Sequence, residues 1–387
     1  MGKSRRWVQD LEGGRRQADP RLSVLENAAR VLGVPLERLL SDSTTGGDCV
    51  DADEIEAIRS ALQRHDVITG TCDESCADPV PLGELRRQVS YGRAAFQAGH
   101  FASLGRLVPD LLIDTTRAAA WHTGDDKLVA HQLLALVLEL VEGAAVKYGA
   151  TDLALLSAHR AVTAAERSGD VVTMGSAARH LADAMTHHGR PQAAHDFALA
   201  AAARLEEELL TRGADGLSVL GMLYLKAAMA AAAIGEGGGH RAVSAAADVP
   251  VLLGRAGEQA TRLGADGNAL WTAFGPTNVS LYRVAAHVQL SEGADAVAAS
   301  RGIPAPALAA LPRERRAHHL ADLARAHTLA GRRTEAVDTL LDAEREAPEE
   351  VRCRPRTRQL IEDLCLLGAG PAEGRLRALA GRCGLPR

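Results

Sequence analysis

Aromatic side chains are scarce in this chain of 387 residues: four Phe, four Tyr and three Trp, 3% of the sequence. A core without rings must be filled by Ala, Leu and Val, and Ala and Leu are strong helix formers, so the chain reads as nearly all-α. Lysine is almost missing too. Lys3, Lys127, Lys147 and Lys226 are the full set, and the other 40 of the 44 basic residues are arginine. Only three asparagines occur, Asn27, Asn268 and Asn278. No long hydrophobic run is present: the greasiest stretch, Leu133 to Val141, contains Glu139 and is too short to span a bilayer. The first 20 residues are charged and do not resemble a signal peptide. These absences set the expectation of a cytoplasmic protein with no membrane partner and with its six cysteines as reduced thiols.

Catalytic and metal motifs are missing as well. There is no His-Glu-x-x-His, no Gly-x-Ser-x-Gly and no Walker lysine. The glycine-rich GEGGGH at 235–240 follows an Ala-rich helical stretch, whereas a dinucleotide loop follows a strand. Cys72 and Cys76, with Cys49 upstream, lack the paired Cys-x2-Cys spacing of a zinc site. The densest histidine group, His180, His187, His188 and His195, straddles a turn and reads as solvated helix-end residues. The expectation is that the protein is not an enzyme and carries no metal or cofactor.

Charge, by contrast, is unevenly placed. Residues 1–40 hold eight Lys/Arg against five Asp/Glu, while the remainder is acidic and brings the chain to a net charge of −5. A basic head on an acidic body suits a head that meets phosphate. Ser4 is a good N-cap for the helix RRWVQDLE, which ends at Gly13 or Gly14. Val8 and Leu11 share its inner face, leaving Lys3, Arg5, Arg6 and Gln9 outside, side chains suited to base edges in a major groove. Arg15 and Arg16 follow in the turn, where cations grip phosphate. Leu22, Leu25, Ala28, Ala29 and Leu32 line a second helix, and Pro35 opens a short third one.

With Ser4, Val8, Leu11, Glu12, Gly14, Arg15, Arg16, Leu25, Ala28, the run Leu32 to Pro35 and Leu39, residues 2–40 resemble the C-terminal three helices of phage-repressor-like helix-turn-helix regulators, the xenobiotic-response-element type. The resemblance implies double-stranded DNA as a partner, read by Lys3, Ser4, Arg5, Arg6 and Gln9 and gripped by Arg15 and Arg16. It also implies two preceding helices of roughly 25 residues, which the sequence does not contain. A fuller head beginning upstream is therefore expected, and DNA binding is expected of that fuller form. The competing expectation is a vestigial head on a protein-binding scaffold.

Residues 41–81 read as a linker, flexible at SDSTTGGDC and carrying one short amphipathic helix with Ile55, Ile58 and Leu62 on a stripe. From 82 to 387 the sequence repeats a helix–Gly–helix cadence. Gly331 separates a helix lined by Leu320, Leu323, Ala324 and His327 from one lined by Ala336, Leu340 and Ala343, which Pro348 ends. Gly189 stands between Ala178, Leu181, Ala182, Met185 and Ala194, Ala198, Ala201; Gly149 precedes Ala154, Ala158 and Ala161 at the same offsets. Gly99 and Gly293 mark two further breaks. The offsets match the tetratricopeptide pattern of paired antiparallel helices, so five to seven degenerate pairs are expected, stacked as an α-solenoid.

Such a body behind such a head is similar to the tetratricopeptide-containing transcriptional regulators of actinobacteria, and more distantly to peptide-sensing regulators of the same layout. That resemblance implies a body that dimerises and senses a peptide or small-molecule effector. The segment WTAFGPTNVSLYRVA (271–285) looks characteristic of the group. It gathers Trp271, Phe274 and Tyr282 from a chain poor in rings, with Asn278 inside it and Asn268 just before. Aromatic walls and amides that pair with a peptide backbone make these five, with Arg283, the candidate ligand-binding residues. A purely structural corner, broken at Gly275-Pro276 and capped by Thr277 or Asn278, is the competing reading.

Overall fold

The computed structural model describes residues 52–71, 78–237 and 240–385, all within the unit Asp48–Arg387, and these residues form helices with no strand among them. The DNA-reading candidates Lys3, Ser4, Arg5, Arg6, Gln9, Arg15 and Arg16 lie outside the described residues, as do Cys49, Cys72 and Cys76.

The first helix, α1 (Ala52–Leu62), is the one expected within the linker. Ile58 and Leu62 are buried and Ile55 packs against the same cluster. Side chains tie this helix to the body: Arg59 meets Asp152 at 2.7 Å, and Arg160 donates to the Leu62 carbonyl at 2.8 Å. The segment therefore belongs structurally to the body rather than to a free spacer. A short α2 (His65–Thr69) ends at Gly70.

Each successive helix then packs against the next: α3 (Leu82–Ala98), α4 (Phe101–Trp121), α5 (Gly124–Tyr148), α6 (Thr151–Ser168), α7 (Val171–His187) and α8 (Pro191–Leu209). α9 (Gly213–Glu236) packs with α10 (His240–Leu263), and α11 (Pro276–Gln289) with α12 (Gly293–Arg301). After the single turn α13 (Ala305–Ala310), α14 (Arg313–Leu329) pairs with α15 (Arg333–Glu346). The turn α16 (Pro348–Arg352), α17 (Pro355–Leu367) and α18 (Glu373–Arg382) complete the chain.

The glycine breaks have one chemistry. Gly99, Gly149, Gly189 and Gly331 all sit at positive φ, between 73° and 79°. Each donates to a carbonyl three residues back while the next residue reaches five back, as with Gly149 to Val146 and Ala150 to Ala145. This closure satisfies the last carbonyls of the helix and turns the chain back on itself. Between α11 and α12 the left-handed position belongs to Ser291 (φ 63°), not to the expected Gly293. Gly293 is needed for a different reason: a Cβ there would lie 2.6 Å from the Leu329 Cβ and 2.8 Å from the Ala326 carbonyl oxygen. The alanines that follow the breaks, Ala154, Ala158, Ala161, Ala194, Ala198 and Ala336 among them, are fully buried, because small residues let paired helices approach closely.

α5 and α9 are long and apolar enough in composition to cross a membrane, yet most of each is buried against neighbouring helices. Their charged residues Glu139, Glu142 and Lys147 on α5 and Lys226 on α9 share one feature: all lie at or beside a single interior cavity.

Candidate functional site

The cavity measures about 560 Å³, the size of a site for a small molecule or short peptide. Of the long helices from α3 to α15, alternate ones reach its wall: α3 through Phe96, α5 through Glu142 and Lys147, α7 through Arg179 and Asp183, α9 through Met222 and Lys226, α11 through Asn278 and Tyr282, α14 through Glu314 and Arg315. Among the described residues, α4, α6, α8, α10, α12 and α15 contribute nothing to it. These helices pack against the ones that line the cavity.

One stretch of the wall is strained. Leu270, Trp271 and Ala273 have φ of 48°, 54° and 49°, a left-handed conformation that side chains with a Cβ resist at about 1–3 kcal/mol each. The surroundings enforce it. Asn268 accepts from the Ala273 amide at 3.1 Å and forms a paired amide contact with Gln97, 2.9 Å in both directions. Gln97 also donates to the Trp271 carbonyl at 3.1 Å. Phe274 is buried against Gly221, whose missing Cβ would lie 2.0 Å from the ring. The cap of α11 comes from outside the segment: Asp266 accepts from the Thr277 amide at 2.9 Å and from its hydroxyl at 2.6 Å, replacing the cap expected of Thr277 or Asn278 themselves.

The six ligand candidates therefore separate. Trp271, Asn278 and Tyr282 stand on the cavity wall. Asn268 is exposed and braces the strained loop, Phe274 is core, and Arg283 faces away from the cavity on the exposed side of α11. Asn278 is the most suggestive of the three. It is 1% exposed, its Oδ1 has no partner among the described residues, and its Nδ2 makes only weak contacts, 3.4 Å to the Thr272 carbonyl and 4.0 Å to the Met222 sulfur.

The charges of the wall form two groups. Toward α14, Lys147 Nζ sits between Glu314 (2.5 Å) and Glu350 (2.7 Å), and Arg354 bonds Glu350 at 2.7 Å. Burial opposes the charge of Glu314, but Lys147, His318 and Arg315 together outweigh it and hold this carboxyl well below the usual range. Glu314, His318 and Glu350 have donor atoms close enough to hold a cation, but Lys147 and Arg354 already neutralise that set. Burial, with Arg354, also drives His318 well below the ordinary imidazole range, so it stays neutral.

Toward α7 the pairing is incomplete. Arg93 bonds Glu139 at 2.5 Å, and Lys226 bonds Asp183 at 2.8 Å. His180 Nδ1 lies 2.6 Å from Glu142, and its Nε2 lies 3.4 Å from Glu139. Burial pushes Glu142 well above the carboxylate range, aided by Asp183, and pushes His180 well below the imidazole range, aided by Arg179. The two thus meet as neutral partners. The arrangement that fits has the Glu142 hydroxyl donating to Nδ1 and the imidazole proton on Nε2, toward Glu139. His180 and His187 line this interior wall and are not the solvated helix-end residues expected.

Two guanidiniums on the wall have no hydrogen bond or ion pair among the described residues. Arg179 is 6% exposed with a buried, unpartnered Nε, and Arg315 has a buried, unpartnered Nε while stacking over the Tyr282 ring at 5.0 Å. Sequence reading missed this charged half of the site. A signal was available: charges placed within the two most apolar helices, including two of the four lysines, have to be paired or used. A scan against protein-family models finds no match for the chain, and comparison with curated proteins finds no relative.

Proposed function

We propose that this chain is a cytoplasmic transcriptional regulator in which a repressor-like head reads double-stranded DNA and the helical body, a tetratricopeptide-like stack of helix pairs, binds an effector and joins two copies. The observation that carries the sensing half is the cavity itself, walled by alternate helices as in a solenoid that presents one inner surface. Its strained Trp271–Ala273 wall and unpartnered Asn278 amide oxygen further support it. Backbone strain and an unmet acceptor both cost stability, and both are retained where a ligand uses them. An effector that bonds Asn278 and Trp271 at once would act on the loop braced by Asn268 and Gln97. The DNA half rests on the basic face that the sequence presents over residues 3–16, and dimerisation on the half-site geometry of single heads.

The test is selection of genomic DNA fragments by the full-length protein, followed by binding titrations across salt. Affinity falling steeply with salt, and lost in Arg5→Ala combined with Arg6→Ala, is the expected outcome. Retention of full affinity by that double variant would remove those arginines from the interface. Absence of any DNA binding would favour the scaffold reading. In the body, Asn278→Ala is expected to leave the melting midpoint within a few degrees of the parent while weakening the effector.

A further inference from the structure

An arginine carries a positive charge at every pH a protein experiences, and burying it without a partner is among the costliest arrangements a fold can hold. Arg179 is in that situation. It is buried, faces the cavity from α7, and makes no hydrogen bond or ion pair with a described residue. The other cations of the wall are engaged. Lys147, Lys226 and Arg354 have carboxylates, Arg325 donates to the Arg356 carbonyl at 2.6 Å, and Arg356 donates to Gln289 at 3.0 Å. Arg315 alone shares the condition of Arg179, softened by the Tyr282 ring.

The carboxyl nearest in character to a partner, Glu142, is bonded to His180 and not to Arg179, and burial pushes it well above the usual carboxylate range although Arg179 and Lys226 oppose this. Glu142 therefore gives Arg179 no ion pair, only a weakened countercharge. The nearby carboxylates Glu139 and Asp183 are bonded to Arg93 and Lys226, so no carboxylate forms an ion pair with Arg179 among the described residues. Beside it lie the apolar surfaces of Met222, Met229, Trp271 and Tyr282, and the unpartnered acceptor of Asn278.

We propose that the cavity binds an amphipathic organic anion, whose carboxylate is taken by Arg179, whose apolar body lies against Trp271, Tyr282 and Met222, and whose N–H or O–H donor meets Asn278. A guanidinium receives a carboxylate through two parallel hydrogen bonds. A single carboxylate fits better than a doubly charged phosphate, because the acidic side chains Glu139 and Asp183 lie on the same side of the cavity, each bonded to a cation of its own. A free organic acid and the C-terminus of a short peptide share this chemistry. The inference deepens the effector-sensing reading of the same cavity and rests on it.

The experiment uses the full chain without DNA. The probe is 8-anilino-1-naphthalenesulfonate, a fluorescent amphipathic monoanion, beside its uncharged analogue N-phenyl-1-naphthylamine. Competitors are 3-phenylpropionate, a hydrophobic tripeptide, and the amide form of each. One anionic probe is expected to bind per chain and to be displaced by the carboxylates at least tenfold better than by their amides. Arg179→Met is expected to weaken the anionic probe at least tenfold, to leave the uncharged one unchanged, and to leave the melting midpoint equal or higher. Arg179→Lys should recover part of the loss. Displacement by the peptide alone assigns the anion to a peptide C-terminus; displacement by phenylpropionate as well assigns it to free acids. The proposal is overturned if Arg179→Met binds the anion as the parent does, if amides compete as well as acids, or if the variant melts many degrees lower. Because no DNA is present, an anion site that survives alongside absent DNA binding would refute only the regulator reading.

Discussion

The two charged groups lining the cavity solve the same problem in opposite ways. Around Lys147, every buried charge has a countercharge within hydrogen-bonding range: Glu314, Glu350 and Arg354 close the set. Around Arg179, Glu142 and His180 resolve their burial by neutralising, and the guanidinium is left over. A complete network holds helices together, here joining α5 to α14 and α16. An incomplete one lowers the stability of the empty protein and is explained by a ligand that completes it. The comparison separates the part of the wall that is structural from the part that is open to an effector.

The sharpest way to break the comparison is Lys147→Met. Removing that ammonium strands Glu314, whose side chain is 11% exposed, and leaves the buried Glu350 to Arg354 alone, which is expected to cost about 3–5 kcal/mol of unfolding free energy. Arg179→Met should do the reverse, holding or raising stability by about 1–3 kcal/mol, since it removes an unbonded buried charge. Urea titrations of both variants decide the matter: a loss in each would show Arg179 to be a structural residue after all.

The pH dependence should differ in sign between the two groups. Glu314 is held below its ordinary value of 4.5, so its stabilisation is present above pH 4.5 and disappears as pH falls below that value. Glu142 is held above 4.5, so its stabilisation is present in acid and is lost as pH rises from 4.5 toward its raised value. Melting midpoints measured from about pH 2 to 8 should therefore show Glu142→Gln gaining on the parent as pH rises above 4.5, and Glu314→Gln losing ground as pH rises toward 4.5 and running level with the parent beyond it. Parallel curves would mean the two carboxyls share one environment. The smallest expected effect belongs to Asn278→Ala, within about 1 kcal/mol of the parent, because its amide has only weak contacts to lose.

Much of the helical frame was legible from short-range signals. Gly99, Gly149, Gly189 and Gly331 announce breaks because the left-handed position tolerates them best, and the alanines at fixed offsets mark the close-packed faces. The break marked by Gly293 falls where expected, but Ser291 occupies its left-handed position, and Gly293 answers a crowding contact with α14. The site was legible by half. Trp271, Asn278 and Tyr282 drew attention through rarity, but rarity does not separate a wall from a core, and Phe274 went to Gly221 while Asn268 went to Gln97. His180 could not be told from a solvated histidine, because what buries it is Glu139 and Glu142 from another helix.

The sequence by itself determined helix: Ala and Leu for its content, glycine for its breaks, and 3–4 spacing for its buried faces. These are interactions between residues one turn apart, and composition and period encode them. Only the tertiary structure decided which charges are paired and which are not. Lys147 and Glu314 are 167 residues apart, Arg93 and Glu139 are 46 apart, and no distant carboxylate comes into ion-pair range of Arg179 among the described residues. Countercharge acts through space over a few ångströms, and the chain's order says little about which distant side chains the packing of helices will bring within that reach.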